Sequence, residues 1–173
     1  MTDPLTSAPR LETERLTLRG PERSDLPEFT RFMTSSPRMK AMGETVSAEQ
    51  AWFGLLTGIG HWQWHGFGFF MLTQKGENTP LGRVGLLKHS NWPRVELAWH
   101  LFEGAEGKGY ATEAAQAVRK WAHQRHGLNQ LVSYIHFENH RSQAVAKRLG
   151  AVSDGTRADH DPTSEVWTHL PEE

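Results

Sequence analysis

Polar and apolar residues alternate through Arg15-Leu16-Thr17-Leu18-Arg19, which predicts a short strand. Leu26, Phe29, Phe32 and Met33 then recur at helical spacing behind Ser24 or Asp25, either of which can cap a helix running to about Met33. Ser47 with Gln50 three residues later is a capping-box pattern, and predicts a second helix through Trp52, Phe53, Leu55, Leu56 and Ile59. Gly58 and Gly60 weaken its end. Three strands are expected next, over 66–75, 81–89 and 94–102, parted by Gly76-Glu77-Asn78 and Asn91-Trp92-Pro93. Their close spacing reads as an antiparallel meander. On the third, Val95, Leu97, Trp99 and Leu101 share one face, and Glu96, Ala98 and His100 the other.

Three glycines follow within six residues, Gly104, Gly107 and Gly109. Behind them Ala111, Ala114, Ala115, Val118 and Ala122 mark one side of a helix that lasts until Gly127. A strand over 131–137, a helix from His140 to Leu149 stopped by Gly150, and short strands near 151–157 and 165–170 complete the pattern. Residues 1–10, with two prolines, are expected to form a loose tail, and 11–173 a single α/β domain. Its central sheet is mixed and mostly antiparallel, flanked by helices, with one strand–helix–strand crossover over 95–137.

Composition narrows the function. The 173 residues carry a formal net charge of −1, so no general attraction to nucleic acid is expected. There are no cysteines, which excludes disulfides, thiolate metal sites and a cysteine nucleophile and fits a reducing compartment. No apolar run approaches the roughly 20 residues of a membrane span, and the first residues lack the apolar core of a secretory signal. A cytoplasmic monomer or homodimer without a membrane partner is the expectation.

A strand feeding a glycine-rich loop that opens a helix can bind an anion, because loop amides and the positive helix end converge. A nucleotide P-loop requires Ser or Thr after Gly-Lys. Here Gly107-Lys108 is followed by Gly109, and Phe102 stands where the first glycine belongs. The dinucleotide fingerprint lacks its third glycine, replaced by Thr112, and the strands before it form a meander. Taken alone, the loop could also be only a tight strand–helix connection.

Glu106-Gly107-Lys108-Gly109-Tyr110-Ala111 resembles the (Gln/Arg)-x-x-Gly-x-(Gly/Ala) loop of the GNAT superfamily of N-acetyltransferases. Leu11 to Arg19 is similar to the opening of its ribosomal-protein N-terminal acetyltransferase branch. Asn139-His140-Arg141-Ser142 and Lys147-Arg148-Leu149-Gly150-Ala151 are similar to its coenzyme-contacting helix and following turn. The resemblance implies the GNAT fold and transfer of an acetyl group from acetyl-CoA to a primary amine, with the coenzyme as co-substrate and no metal. It implies pyrophosphate binding at Glu106, Gly107, Lys108, Gly109, Tyr110, Ala111 and Thr112, and an oxyanion donor from the main chain of Trp99, His100 and Leu101. Three positions depart from the family pattern. Glu106 stands where Gln or Arg is usual, Ala146 where many relatives carry a proton-donating tyrosine, and Ala151 where phenylalanine is common. A catalytically weak acyl-CoA-binding or regulatory domain is the alternative these departures raise.

Acyl transfer to an amine needs a base for the amine and a proton for the leaving thiolate. Glu96 is the leading base, as a strand carboxylate just before the coenzyme loop; the other reading pairs it with Arg83 or Arg94. His100 and Glu165 are further base candidates. Ser142, near the thiol by resemblance, is the candidate acid, or it merely caps its helix. Asn139 either bonds the pantetheine arm or caps the same helix. His61-x-x-x-His65 and Asp159-His160-Asp161 resemble metal ligands only in spacing; the second reads better as a polar turn. Trp62, Trp64, Phe67, Phe69 and Phe70 read as core or pocket wall. The acceptor is expected at 33–66 and 157–165, where Glu44, Glu49, Asp159, Asp161 and Glu165 would suit a cationic amine, either a protein N-terminus or a small molecule.

Overall fold

The computed structural model describes residues 5–37, 39 and 45–171. Eight strands form one sheet: β1 (Leu11–Glu12), β2 (Leu16–Arg19), β3 (Phe69–Gln74), β4 (Gly82–Leu87), β5 (Glu96–Leu101), β6 (Val132–His136), β7 (Arg157–Ala158) and β8 (Asp161–Thr168), in the order β1-β2-β3-β4-β5-β6-β8-β7. Every neighbouring pair is antiparallel except β5 with β6. The described helices are α1 (Leu26–Ser35), α2 (Ala48–His65), α3 (Tyr110–His126) and α4 (His140–Arg148). The expected meander is β3–β4–β5, and α3 is the crossover that makes β5 and β6 parallel.

The two sheet faces are covered differently. Ala114, Ala115, Val118 and Ala122 of α3 pack on Leu16, Leu18, Phe70, Leu72, Val84, Leu86 and Leu97, all buried. Small side chains bring this helix close to the sheet. On the other face, Phe29 and Phe32 of α1 and Ala51 and Leu55 of α2 pack with Met71 and Phe102. Trp62, at the far end of α2, crosses into the first cluster and donates from Nε1 to the Phe69 carbonyl at 2.9 Å.

Several boundaries differ from the sequence reading. Helix α2 keeps its Ser47–Gln50 capping box but continues through Gly58 and Gly60 to a left-handed Gly66 (φ 72°). The buried Trp62 anchors this extra turn, so β3 begins at Phe69 rather than Gly66. Asp25 precedes α1 but makes no side-chain cap to it. Its carboxylate is buried and bonds both Arg19 Nη atoms, at 2.9 and 2.7 Å. The last strands are a hairpin, 157–158 with 161–168, and Val152 contributes only an isolated bridge to Thr168. Within the expected tail, Thr6 is buried and Ala8 packs on the main core; residues 1–4 lie outside the described residues.

Candidate active site

Strands β5 and β6 meet at one register pair, Glu96 with Val132, where the Val132 amide donates to the Val95 carbonyl at 3.1 Å. Beyond that pair they part, and a cleft of about 690 Å³ opens between them. The Phe102 amide bonds Leu81 on the β4 side. By strand alternation the main-chain groups of Leu97, Trp99 and Leu101 therefore turn toward the gap, whereas those of His100, expected from sequence to join them, turn to Arg83 on β4. The Leu97 carbonyl confirms the direction, since it accepts from Ser133 Oγ on β6 at 2.5 Å. His169 Nε2 lies 2.9 Å from the same hydroxyl and supports it from the far face.

Glu96 stands at the apex. Its Oε1 accepts the Tyr134 amide at 3.2 Å, so a side chain replaces the main-chain ladder where the strands separate. Neither Arg83 nor Arg94 pairs with it. Arg83 bonds His100, and Arg94 donates to Thr168 Oγ1. Burial without a cation pushes the Glu96 carboxyl up to about 7, with the Tyr134 amide pulling weakly the other way. A carboxyl poised there can exchange a proton at neutral pH. Trp92, Tyr134 and His160 wall the cleft beside it, with ring centroids 4.5 to 5.1 Å apart.

His100 lines the same cleft on the Glu96 face, but it is not a base. Arg83 Nε donates to its Nδ1 at 2.9 Å. A guanidinium only donates, so the neutral ring carries its proton on Nε2. Burial and the nearby Arg83 charge hold the imidazole well below its ordinary value, so it stays neutral. Glu165, the other base candidate, pairs with Arg157 at 3.7 Å and does not line the cleft.

Asn139 and Ser142 line the opposite end. Asn139 Oδ1 accepts the Ser142 amide at 3.1 Å, the capping arrangement weighed from sequence. The Ser142 hydroxyl lies in the first turn of α4 at the cleft wall. Ala146, one turn on, is fully buried against Ile135, Ala151 and Trp167, with Trp99 packed alongside. That position faces core, so Ala146 leaves no gap in the cleft wall.

The glycine loop follows β5 directly. Gly104, Gly107 and Gly109 have φ of 81°, 73° and 81°, the left-handed region where other residues are strained. Gly109 is the N-cap of α3 and supplies no side-chain cap. The first-turn amides of α3, at Tyr110, Ala111 and Thr112, therefore have no intrahelical acceptor. This is the arrangement that suits a pyrophosphate. Glu106, Gly107 and Lys108 are exposed along the loop. Arg15 holds the loop from behind: Nη1 donates to the Lys108 carbonyl at 2.8 Å, and Nε to Glu113 at 2.7 Å. Thr13 donates to the same carboxylate at 2.6 Å.

Other expected sites fall away. His61 spends both nitrogens on main chain, Nδ1 with the Phe67 carbonyl at 2.8 Å and Nε2 with the Lys88 amide at 3.0 Å, leaving no lone pair for a metal. Asp161 lies at the cleft rim, where its carboxylate organises a turn by accepting from Thr163 and Ser164. Of the acidic residues expected to meet the acceptor, only Asp161 lines the cleft, and Glu44 lies outside the described residues. Trp62, Phe67, Phe69 and Phe70 are buried, whereas Trp64 is 85% exposed. Sequence reasoning missed Trp92, Ser133, Tyr134 and His136 as cleft residues, because their place depends on strand pairing that no local pattern states, while His160 falls within the expected acceptor span 157–165. It also missed the Arg83–His100 pair, for which facing polar residues at one height of a predicted hairpin were the available signal.

The comparisons with known proteins agree with this geometry. The model of the acetyltransferase (GNAT) domain matches residues 15–152. An uncharacterized N-acetyltransferase, YnaD from Bacillus subtilis, is 26% identical over 98 residues, 57% of this chain. The match spans 58% of that relative's length. An acetyltransferase from Agrobacterium tumefaciens has a solved structure with a TM-score of 0.87 and 36% identity, covering 98% of each chain. The microcin C7 self-immunity acetyltransferase MccE, solved with acetyl-CoA and AMP, shares the fold at a TM-score of 0.71 and 13% identity, over 91% of this chain and 93% of its own. With a family model spanning most of the chain and a parted β5–β6 pair feeding a capless glycine loop, this chain belongs to the GNAT acetyltransferase family.

Proposed function

We propose that this protein transfers an acetyl group from acetyl-CoA to a primary amine by direct attack within a ternary complex. The observation that carries this reading is the parting of β5 from β6 beyond Glu96, with a near-neutral carboxyl at the apex and the glycine loop at the end of the same strand. The amides of Glu106 to Thr112 hold the pyrophosphate, and the gap-facing main chain of Trp99 and Leu101 receives the pantetheine arm and the developing oxyanion. Glu96 takes a proton from the amine, directly or through water. The neutral amine nitrogen then bonds the acetyl carbon; as the carbon–sulfur bond breaks, the nitrogen gives its second proton to water and Ser142 relays a proton from water to the departing thiolate. Asn139 sets the first turn of α4 and so the Ser142 hydroxyl. The scheme uses no metal. A fold neighbour's complex with acetyl-CoA supports the coenzyme.

The setting we infer is the cytoplasm, with the protein as monomer or homodimer and without nucleic-acid or membrane partners. Among the described residues no helix is long and apolar enough to cross a membrane. A protein N-terminus is the second acceptor class, favoured by the resemblance of Leu11 to Arg19 to the ribosomal branch. A catalytically weak acyl-CoA-binding domain is the second reading of the whole, favoured by Glu106 and by the buried Ala146. Calorimetric titration with acetyl-CoA followed by thiol release against a panel of amines separates them. We expect binding and amine-dependent release. Binding with no release on any amine favours the second reading, and no binding removes both.

A further inference from the structure

We propose that Arg83 and His100 form an anion-recognising subsite in the acceptor half of the cleft, and that the acceptor is an amine that also carries a carboxylate. This deepens the acetyl-transfer reading and rests on it. The two residues face each other directly across β4 and β5. Arg83 is wedged 4.8 Å from the Phe29 ring and 4.2 Å from the Phe69 ring, and no carboxylate among the described residues pairs with it. A half-buried cation without a counter-ion carries a desolvation cost that a bound anion would offset.

The guanidinium does not line the cleft itself; it acts through His100, which does. Because Arg83 occupies Nδ1, His100 presents an N–H from Nε2. His100 as a residue is part-buried and lines the cleft. Phe32 and Phe69 flank the imidazole, with centroids 6.0 and 5.6 Å away. One donor backed by one positive charge suits a monoanion such as a carboxylate.

The spacing fits a bifunctional ligand. Glu96 and His100 share a face of β5 with only Ala98 between them, so their Cα atoms are about 13 Å apart along the strand. Hydrogen bonds of about 3 Å at each end leave about 7 Å between amine nitrogen and carboxylate. A short ω-amino acid spans that gap directly, and an α-amino acid spans it with a water at Glu96. His100 is then a specificity-determining residue, and Arg83 the residue that fixes its tautomer.

The test uses pairs that differ only in the carboxylate: glycine, β-alanine, γ-aminobutyrate and δ-aminovalerate against methylamine, ethylamine, propylamine and butylamine. In acetyl-CoA thiol release we expect the best amino acid to exceed its matched alkylamine by at least about tenfold in kcat/KM. Arg83→Met and His100→Phe should erase most of that preference while the KM for acetyl-CoA stays within about twofold, and Arg83→Lys should restore much of it. Alkylamines turned over as well as their partners, or a preference that survives both variants, would overturn the subsite. If Arg83→Met does not fold, His100→Phe decides. The same pairs are titrated calorimetrically onto protein saturated with coenzyme A, which needs no turnover. Selective binding of the amino acid supports the subsite, and equal binding of both or neither overturns it. Loss of turnover with selective binding retained would count against the transfer reading alone.

Discussion

At the point where β5 and β6 part, Glu96 holds the Tyr134 amide with a carboxyl that burial has raised to about 7. Glutamine at this position keeps an oxygen for Tyr134 and removes the proton exchange. The folded protein binds a proton here that the unfolded chain has already lost between the ordinary carboxyl value of 4.5 and about 7. Stability attributable to Glu96 therefore falls as pH rises through that window, and the full cost is present above it. We expect Glu96→Gln to gain roughly 2–3 kcal/mol at pH 8 relative to pH 4, read by urea unfolding at both pH values. An unchanged difference would mean the carboxyl is not held protonated. At the other end of the cleft, Ser142→Ala should lower kcat about tenfold with little change in acetyl-CoA affinity, measured by steady-state thiol release. Equal kcat would leave Ser142 a structural residue. The face shared by Glu96, Ala98 and His100 was legible from period-two alternation. The partners that set their chemistry, Tyr134 and Arg83, were not, because each comes from another strand whose register no local pattern states.

The elements around the glycine loop were legible in type and less so in extent. Alanine spacing and the three glycines identify the loop and α3, and Gly127 and Gly150 end their helices in left-handed turns as expected. Helix α2 overran its expected end because tertiary burial of Trp62 outweighs the weak propensity of Gly58 and Gly60. The Arg15 clamp could not be seen, since it joins positions almost a hundred residues apart. Arg15 ties β2 to the Lys108 carbonyl and to Glu113 in the first turn of α3. A loop rich in left-handed glycines is costly to order, and this clamp supplies part of the ordering before any ligand arrives. Arg15→Ala should therefore raise the KM for acetyl-CoA by roughly tenfold while kcat changes little. An unchanged KM would show that the loop is ordered without the clamp.

Among the described strands, the sheet is continuous from β1 to β5 and parts where β5 meets β6. One face carries α3, which the glycine loop opens, and the other carries α1 and α2. The Arg19–Asp25 pair fastens the start of α1 to β2, with both groups buried and Arg19 also bonded to Asn78. Asp25→Ala strands the guanidinium and should cost about 3 kcal/mol, a fall of roughly 10 °C in Tm by thermal unfolding. The meander and crossover were legible because consecutive strands with short turns pair as neighbours. The cleft was not, because a gap in a sheet is an absence of pairing that no residue pattern announces. The most direct measurement is the pH profile of kcat/KM for amine-dependent thiol release from acetyl-CoA, wild type against Glu96→Gln. We expect wild-type activity to rise with pH and level off above about 7, and the variant to be about a hundredfold slower with that inflection gone. A variant that keeps the wild-type rate and inflection would contradict proton transfer through Glu96.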